Sequence, residues 1–123
     1  MFVIMGATGQ VGGAVLEALK QRGTALRAVA RDPARAQGLG VETVRGDASD
    51  TESLAAAFTG AEAAFVMLVS PQQALDVVAQ SRVMAQSIAA AVRAAGVPHV
   101  VALSSVGAHL NEGNGIVQVL HDF

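Results

Sequence analysis

Short apolar runs alternate along the chain with longer stretches in which apolar residues recur every three or four positions. Phe2 to Met5 is the first run and reads as a buried strand. Val11, Ala14, Val15, Ala18 and Leu19 follow at helical spacing, the apolar face of a helix whose last turn carries Lys20 and Arg22 before a stop at Gly23. Leu26 to Ala30 is a second strand. Arg31-Asp32-Pro33 ends it, with Asp32 placed to cap a short helix and Pro33 suited to its first turn. Val41 to Val44 is a third strand, closed by Arg45-Gly46-Asp47. Ser49 and Glu52 then form a capping-box pair ahead of a helix with Leu54, Ala57 and Phe58 on one face, closed by Gly60. Ala63 to Val69 is wholly apolar, as in a strand covered on both sides. Ser70-Pro71 opens a long helix striped by Val77, Met84, Ile88, Ala91 and Ala95 and stopped by Gly96-Val97-Pro98. His99 to Leu103 is the fifth strand. After Ser104-Ser105-Val106-Gly107 comes a loop with Gly and Asn, then a helix start near Ile116.

Strand and helix alternate four times and a fifth strand follows. That order predicts an α/β fold: a Rossmann-like, doubly wound parallel sheet with right-handed crossovers, helices on both faces and strand order 3-2-1-4-5. Residues 1–123 form one domain, with 106–123 a partial C-terminal extension. The order reverses between the first and fourth strands, so a ligand crevice belongs there, at the carboxyl ends. Gly6–Gly12, Arg31, Asp47, Leu68–Pro71 and Ser104–Ser105 all fall at those ends.

Gly6, Gly9 and Gly12 are spaced by three, directly after a strand and opening a helix. In that context the first glycine permits a tight turn, the second lets a pyrophosphate approach bare backbone, and the third lets the helix pack close to the strand. Free N–H groups and the positive end of the helix dipole then meet the phosphates. A dinucleotide is therefore the expected ligand. An acid at the end of the second strand would hold the ribose 2′-hydroxyl of NAD; here Arg31 comes first, suited to a 2′-phosphate, and Asp32 is taken by the helix cap. NADP is favoured over NAD. Asp47 reads equally as an acceptor for the adenine amino group or as a loop residue making an Asx-turn.

Composition narrows the partners. Net charge is −2 and no basic run occurs, so nucleic acid is not an expected partner. Cys is absent, and the lone His99 and His109 lack metal-ligand spacing, so no metal site is expected. The apolar stretch from Ala85 to Ala95 is broken by Gln86, Ser87 and Arg93, so no membrane segment is expected, and with a strand directly after Met1 the chain reads as cytoplasmic.

Gly6-Ala-Thr-Gly-Gln-Val-Gly12, Ala30-Arg-Asp-Pro33, Arg45-Gly-Asp47, Ala94-Ala-Gly-Val-Pro-His99 and Val101-Ala-Leu-Ser-Ser-Val-Gly107 together resemble the NmrA-like branch of the atypical short-chain dehydrogenase/reductases. The resemblance runs over nearly the whole chain. It implies that Gly6, Thr8, Gly9, Gln10, Val11 and Gly12 hold the pyrophosphate and that Arg31 meets the 2′-phosphate. It places Asp47 and Ala48 at adenine, and Leu68, Val69 and Ser70 beside the nicotinamide-side ribose. Members of that family are either NADPH-dependent reductases, quinone reductases among them, or NADP-binding redox sensors without turnover.

Two departures matter: one from the classical short-chain relatives and one from the family members themselves. The Tyr-x-x-x-Lys pair is missing: there is no Tyr, and Lys20 is the only lysine. Ser104, Ser105 and His121 remain as candidate catalytic residues, the serines as hydrogen-bond donors to a carbonyl and His121 as a proton donor near neutral pH, with a surface role for His121 the plainer alternative. The second departure is length. Family members continue past Phe123 into a lobe that covers nicotinamide and binds substrate, so the chain reads as a natural truncation or a fragment. The flank of the fifth strand is then uncovered, and a homodimer through it is expected. Three functions follow: NADPH-dependent reduction of a quinone or small carbonyl, a non-catalytic NADP-binding sensor or regulator, or an inactive remnant.

Overall fold

The computed structural model describes residues 1–69, 75–113, 115–121 and 123, with the backbone alone at 116. Strands β1 (Phe2–Met5), β2 (Leu26–Ala30), β3 (Glu42–Arg45), β4 (Ala63–Val66) and β5 (His99–Ala102) form one sheet in the order β3-β2-β1-β4-β5. Every neighbouring pair is parallel. Helices α1 (Gln10–Lys20), α2 (Thr51–Phe58), α3 (Val77–Ala95) and α4 (Gln118–His121) and a 3-10 helix over Pro33–Leu39 connect or follow the strands. This is the Rossmann-like arrangement that the alternation predicts.

Two cores lie on opposite faces of the sheet, sorted by the period-two alternation of the strands. Ile4, Ala28 and Phe65 pack with Leu16 of α1, with Leu39 of the 3-10 helix at the margin. Val3, Met5, Val29, Ala64 and Val66 point the other way, onto Leu54 and Phe58 of α2 and Met84, Ile88 and Ala91 of α3. Leu16, Leu54 and Phe58 are sealed completely. Each contributes roughly 1.5–3 kcal/mol of apolar transfer. Thr51 Oγ1 donates to Ser87 Oγ at 3.0 Å and ties α2 to α3 through a buried hydroxyl. Arg27 closes on Glu42 and on the carbonyls of Ala57 and Thr59, tying β2, β3 and the end of α2 together.

Several boundaries and one helix face differ from the sequence reading. The cap of α2 is Asp50, whose carboxylate accepts from Glu52 N–H and Ser53 N–H at 3.1 Å each; Ser49 instead donates its N–H to Asp47 Oδ1. Asp at the residue before the helix supplies a charged acceptor, which outcompetes a hydroxyl one position earlier. β4 ends at Val66 rather than Val69, and β3 runs one residue later than expected. Helix α3 starts at Val77 behind Asp76, whose carboxylate accepts from Ala79 N–H; Ser70-Pro71, the expected start, lies outside the described residues. On α1, Gly12 and Leu16 face the sheet, Val15 and Leu19 are half-buried, and Val11, Ala14 and Ala18 of the expected stripe face outward. The close seat at Gly12 sets that rotation.

Of the expected stripe on α3, Met84, Ile88 and Ala91 are buried and Ala95 packs beside them, while Val77, in the first turn, is half-buried outside that core. Gly96 stops the helix at φ +64°. Strand β5 forms an edge, exposed along its whole length, with Val100 and Val101 both open to solvent. Leu103 N–H still bonds Val66 O at 2.9 Å, carrying the pairing one residue past β5.

Candidate functional site

The glycine loop turns between β1 and α1 at the reversal of strand order. Gly6 takes φ +66°, and Gly9 N–H donates to Gly6 O at 2.9 Å, closing the turn. Gly9 is the N-cap of α1, in extended backbone, with no side-chain cap bond and no acid in the first turn. The first intrahelical bond is Gly13 N–H to Gly9 O, so the N–H groups of Gln10, Val11 and Gly12 have no partner within the helix. Elsewhere the sheet's helices close this end with a carboxylate: Asp32 for the 3-10 helix, Asp50 for α2, Asp76 for α3. By contrast α1, at the reversal of strand order, has no side-chain cap among the described residues and leaves its positive dipole end open. About half a unit charge is available there to an anion.

The three glycines do different jobs. A Cβ on Gly12 would lie 2.5 Å from Gly6 C and 2.7 Å from Met5 O, and closer still to Gly6 O, so only a glycine seats the helix against the turn. A Cβ on Gly6 would lie 2.5 Å from Met67 Sδ. A Cβ on Gly9 meets a single atom, Gly6 O at 3.3 Å, so the fold nearly tolerates one there and the outward approach is what glycine preserves. Thr8, Gly9, Gln10 and Val11 are exposed while Ala7 and Gly12 are buried. The result is a backbone cradle open on its outer side, which fits a pyrophosphate.

At the ends of β2 and β3, Arg31 is exposed, and among the described residues it has no ion pair or hydrogen bond. Asp32 Oδ1 accepts from Ala34 N–H at 3.0 Å, so this carboxylate is engaged as a cap. Asp47 Oδ1 accepts from Ser49 N–H at 2.9 Å, the Asx-turn reading, and its N–H donates to Ser53 Oγ. Its second oxygen has no partner among the described residues. The Ala48 side chain is buried in the core, leaving only its backbone to face a ligand. Gly46 is required by packing, because a Cβ there would lie 2.5 Å from Val29 Cγ1.

On the opposite flank, Leu68 packs partly against the α2–α3 core, Val69 is exposed, and Ser70 lies outside the described residues. Ser104 and Ser105 are exposed just beyond β5. His121 sits on α4, which packs on α3, and its Nδ1 lies 2.8 Å from Ala108 O. A carbonyl only accepts, so Nδ1–H donates and Nε2 faces away from that bond. Thus His121 pins the loop after β5, and neither serine bonds it among the described residues. Met67 was missed by the sequence reading. Its place at the end of β4, beside β1 across the reversal of strand order, is the signal that marks it as the side chain lying on Gly6.

The profile of an NAD(P)H-binding family matches residues 6–121. The chain is 38% identical over 106 residues to a (4-alkanoyl-5-oxo-2,5-dihydrofuran-3-yl)methyl phosphate reductase of Streptomyces griseus, covering 85% of this chain and 34% of that protein. It is 32% identical over 111 residues to an NAD(P)H azoreductase of Xenophilus azovorans, covering 88% and 36%. The chain thus spans about a third of the length of these relatives. Among solved structures, Citrobacter triphenylmethane reductase complexed with NADP(H) superposes with TM-score 0.86 at 27% identity, covering 98% of this chain and 43% of that one. The NADPH-dependent quinone oxidoreductase of Escherichia coli complexed with NADPH superposes at 0.84 and 28%, covering 99% and 42%. Among the described residues no helix is long and apolar enough to cross a membrane.

Proposed function

The chain belongs to the NAD(P)H-binding family, in its NmrA-like group of atypical short-chain dehydrogenase/reductases, and from that premise we propose that it binds NADPH in preference to NADH and serves the reduction of a quinone or small carbonyl compound. The observation that carries the cofactor preference is the pairing pattern after β2. Among the described residues Arg31 has no partner while Asp32 is held as a cap, which supports a site that offers a cation rather than an acid to the 2′ position of the ribose. When bound, the cofactor supplies hydride. The chain's own part is to seat the pyrophosphate on the N–H groups of α1, to hold the adenosine end between Arg31 and Asp47, and to present Leu68, Val69 and Ser70 beside the nicotinamide-side ribose. Ser104 or Ser105 would donate a hydrogen bond to the substrate oxygen. A quinone needs little acid help, which suits a chain without Tyr, and one neighbouring structure is a quinone oxidoreductase.

A second reading, a non-catalytic NADP-binding sensor, is favoured by the exposure of Ser104 and Ser105 and by His121 bonding the loop rather than either serine. Both readings share the dinucleotide site. Calorimetric titration with NADPH and NADH at one salt concentration tests it, and NADPH oxidation with a quinone panel separates the two. Replacing Arg31 with Ala should weaken NADPH by about 1.5–3 kcal/mol and leave NADH unchanged. Equal loss for both cofactors would show that Arg31 does not read the 2′-phosphate. We also propose a homodimer through the exposed edge β5; light scattering showing a monomer at tens of micromolar sinks it.

A further inference from the structure

Arg45 is the last residue of β3 and registers with Ala30, the residue before Arg31. Registered residues of parallel strands point to the same face. On β2, Ala28 packs with the α1-side core and Val29 with the α2–α3 core, so Ala30 and Arg45 face the α1 side. The 3-10 helix that begins after Arg31 packs against β2 and β3 there. Gly46 N–H bonds Ala30 O at 3.1 Å and holds the two strand ends together. Arg31 and Arg45 therefore emerge from adjacent strands, whose backbones run about 4.8 Å apart.

Both are exposed, and neither has an ion pair or hydrogen bond among the described residues. The cations that serve the fold behave differently: Arg27 closes on Glu42 and two carbonyls, and Lys20 on Glu17 and Leu39 O. The carboxylates beside the two free arginines, Asp32 and Asp47, are turned onto backbone N–H groups of their own loops. Arg35, on the 3-10 helix, adds a third exposed cation at this end. Two guanidiniums without a protein partner among the described residues, carried by neighbouring strand ends, suit a ligand with two negative charges and several acceptor oxygens, which describes a phosphate monoester. We propose that Arg45 is a second residue selecting NADPH, closing on the ribose 2′-phosphate from the β3 side while Arg31 closes from β2. This rests on the NADPH preference argued above.

The test titrates wild type, Arg31→Ala, Arg45→Gln and Arg22→Gln with NADPH, NADH and adenosine 2′,5′-bisphosphate by calorimetry. Arg22 is exposed in the turn after α1, at the opposite end of the sheet, and controls for net charge. Arg45→Gln should weaken NADPH and the bisphosphate by about fivefold or more and leave NADH within about twofold, while Arg22→Gln changes none of them. Arg45→Lys should keep part of the preference, and urea midpoints should match wild type for every variant. Equal weakening of NADPH and NADH by Arg45→Gln, or a matching loss in Arg22→Gln, overturns the assignment. If Arg31→Ala is selective and Arg45→Gln is not, the role of Arg45 alone is wrong. If wild type does not prefer NADPH, the cofactor reading itself fails and this proposal with it.

Discussion

Replacing Gly12 with Ala tests the reasoning about the glycine loop most directly. The added methyl would sit 2.5 Å from Gly6 C and 2.7 Å from Met5 O. Both atoms are backbone, in β1 and in the turn that leaves it, so no side chain can swing aside. Relief requires α1 to lift from the sheet, which opens the contact of Leu16 with Ile4 and Ala28. Overpacking costs about 1–3 kcal/mol where side chains can adjust, and this site belongs at the upper end or above it. Gly→Ala in a helix returns up to about 1 kcal/mol of propensity. The net expectation is a loss of about 2–3 kcal/mol. For a domain of this size that is a melting temperature lower by roughly 6–15 °C. Thermal and urea unfolding with and without NADPH would measure it, with Gly38→Ala as control, since a Cβ there meets nothing within 4 Å. The variant should also lose ligand-induced stabilisation, because the three open N–H groups move with the helix. A Gly12→Ala protein that melts within a degree or two of wild type and gains the same shift from NADPH would refute the account of the loop.

Gly9→Ala should separate binding from folding: its Cβ meets only Gly6 O at 3.3 Å, so the melting temperature should move little while NADPH affinity, read by calorimetry, falls at least about tenfold as backbone approach is blocked. Asp50→Ala should cost about 0.5–2 kcal/mol in urea unfolding and Ser49→Ala almost nothing, since the Asp50 carboxylate caps α2 while Ser49 contributes its backbone N–H. Thr51→Val leaves the buried Ser87 hydroxyl without this partner and should cost about 1–3 kcal/mol in urea unfolding, with a smaller effect when Ser87→Ala is added, because the stranded hydroxyl is then gone.

The order of strands and helices and the sheet order were legible in the chain because they depend on periodicity and on glycine, proline and cap residues acting within a few positions. Gly6, Gly9 and Gly12 were readable for the same reason: strand, turn and helix are consecutive, so the cradle is local. The cap on Asp32 was likewise decided by a neighbour two residues away.

Tertiary structure decided whatever joins distant parts of the chain. Which side of α1 is buried could not come from its own sequence, because Val11, Ala14 and Ala18 are as apolar as the residues that were chosen; the backbone contact between Gly12 and the β1 turn set the rotation. Met67 lies on Gly6 only because β4 pairs with β1 across 61 residues of sequence. Arg45 pairs with Ala30, the residue before Arg31, only because β3 registers with β2, and only the folded chain shows that Arg27 and Lys20 are engaged while Arg31 and Arg45 have no partner among the described residues. A sequence specifies short-range geometry through the preferences of each residue. The charges and contacts that meet across strands are fixed only when the sheet brings their backbones side by side.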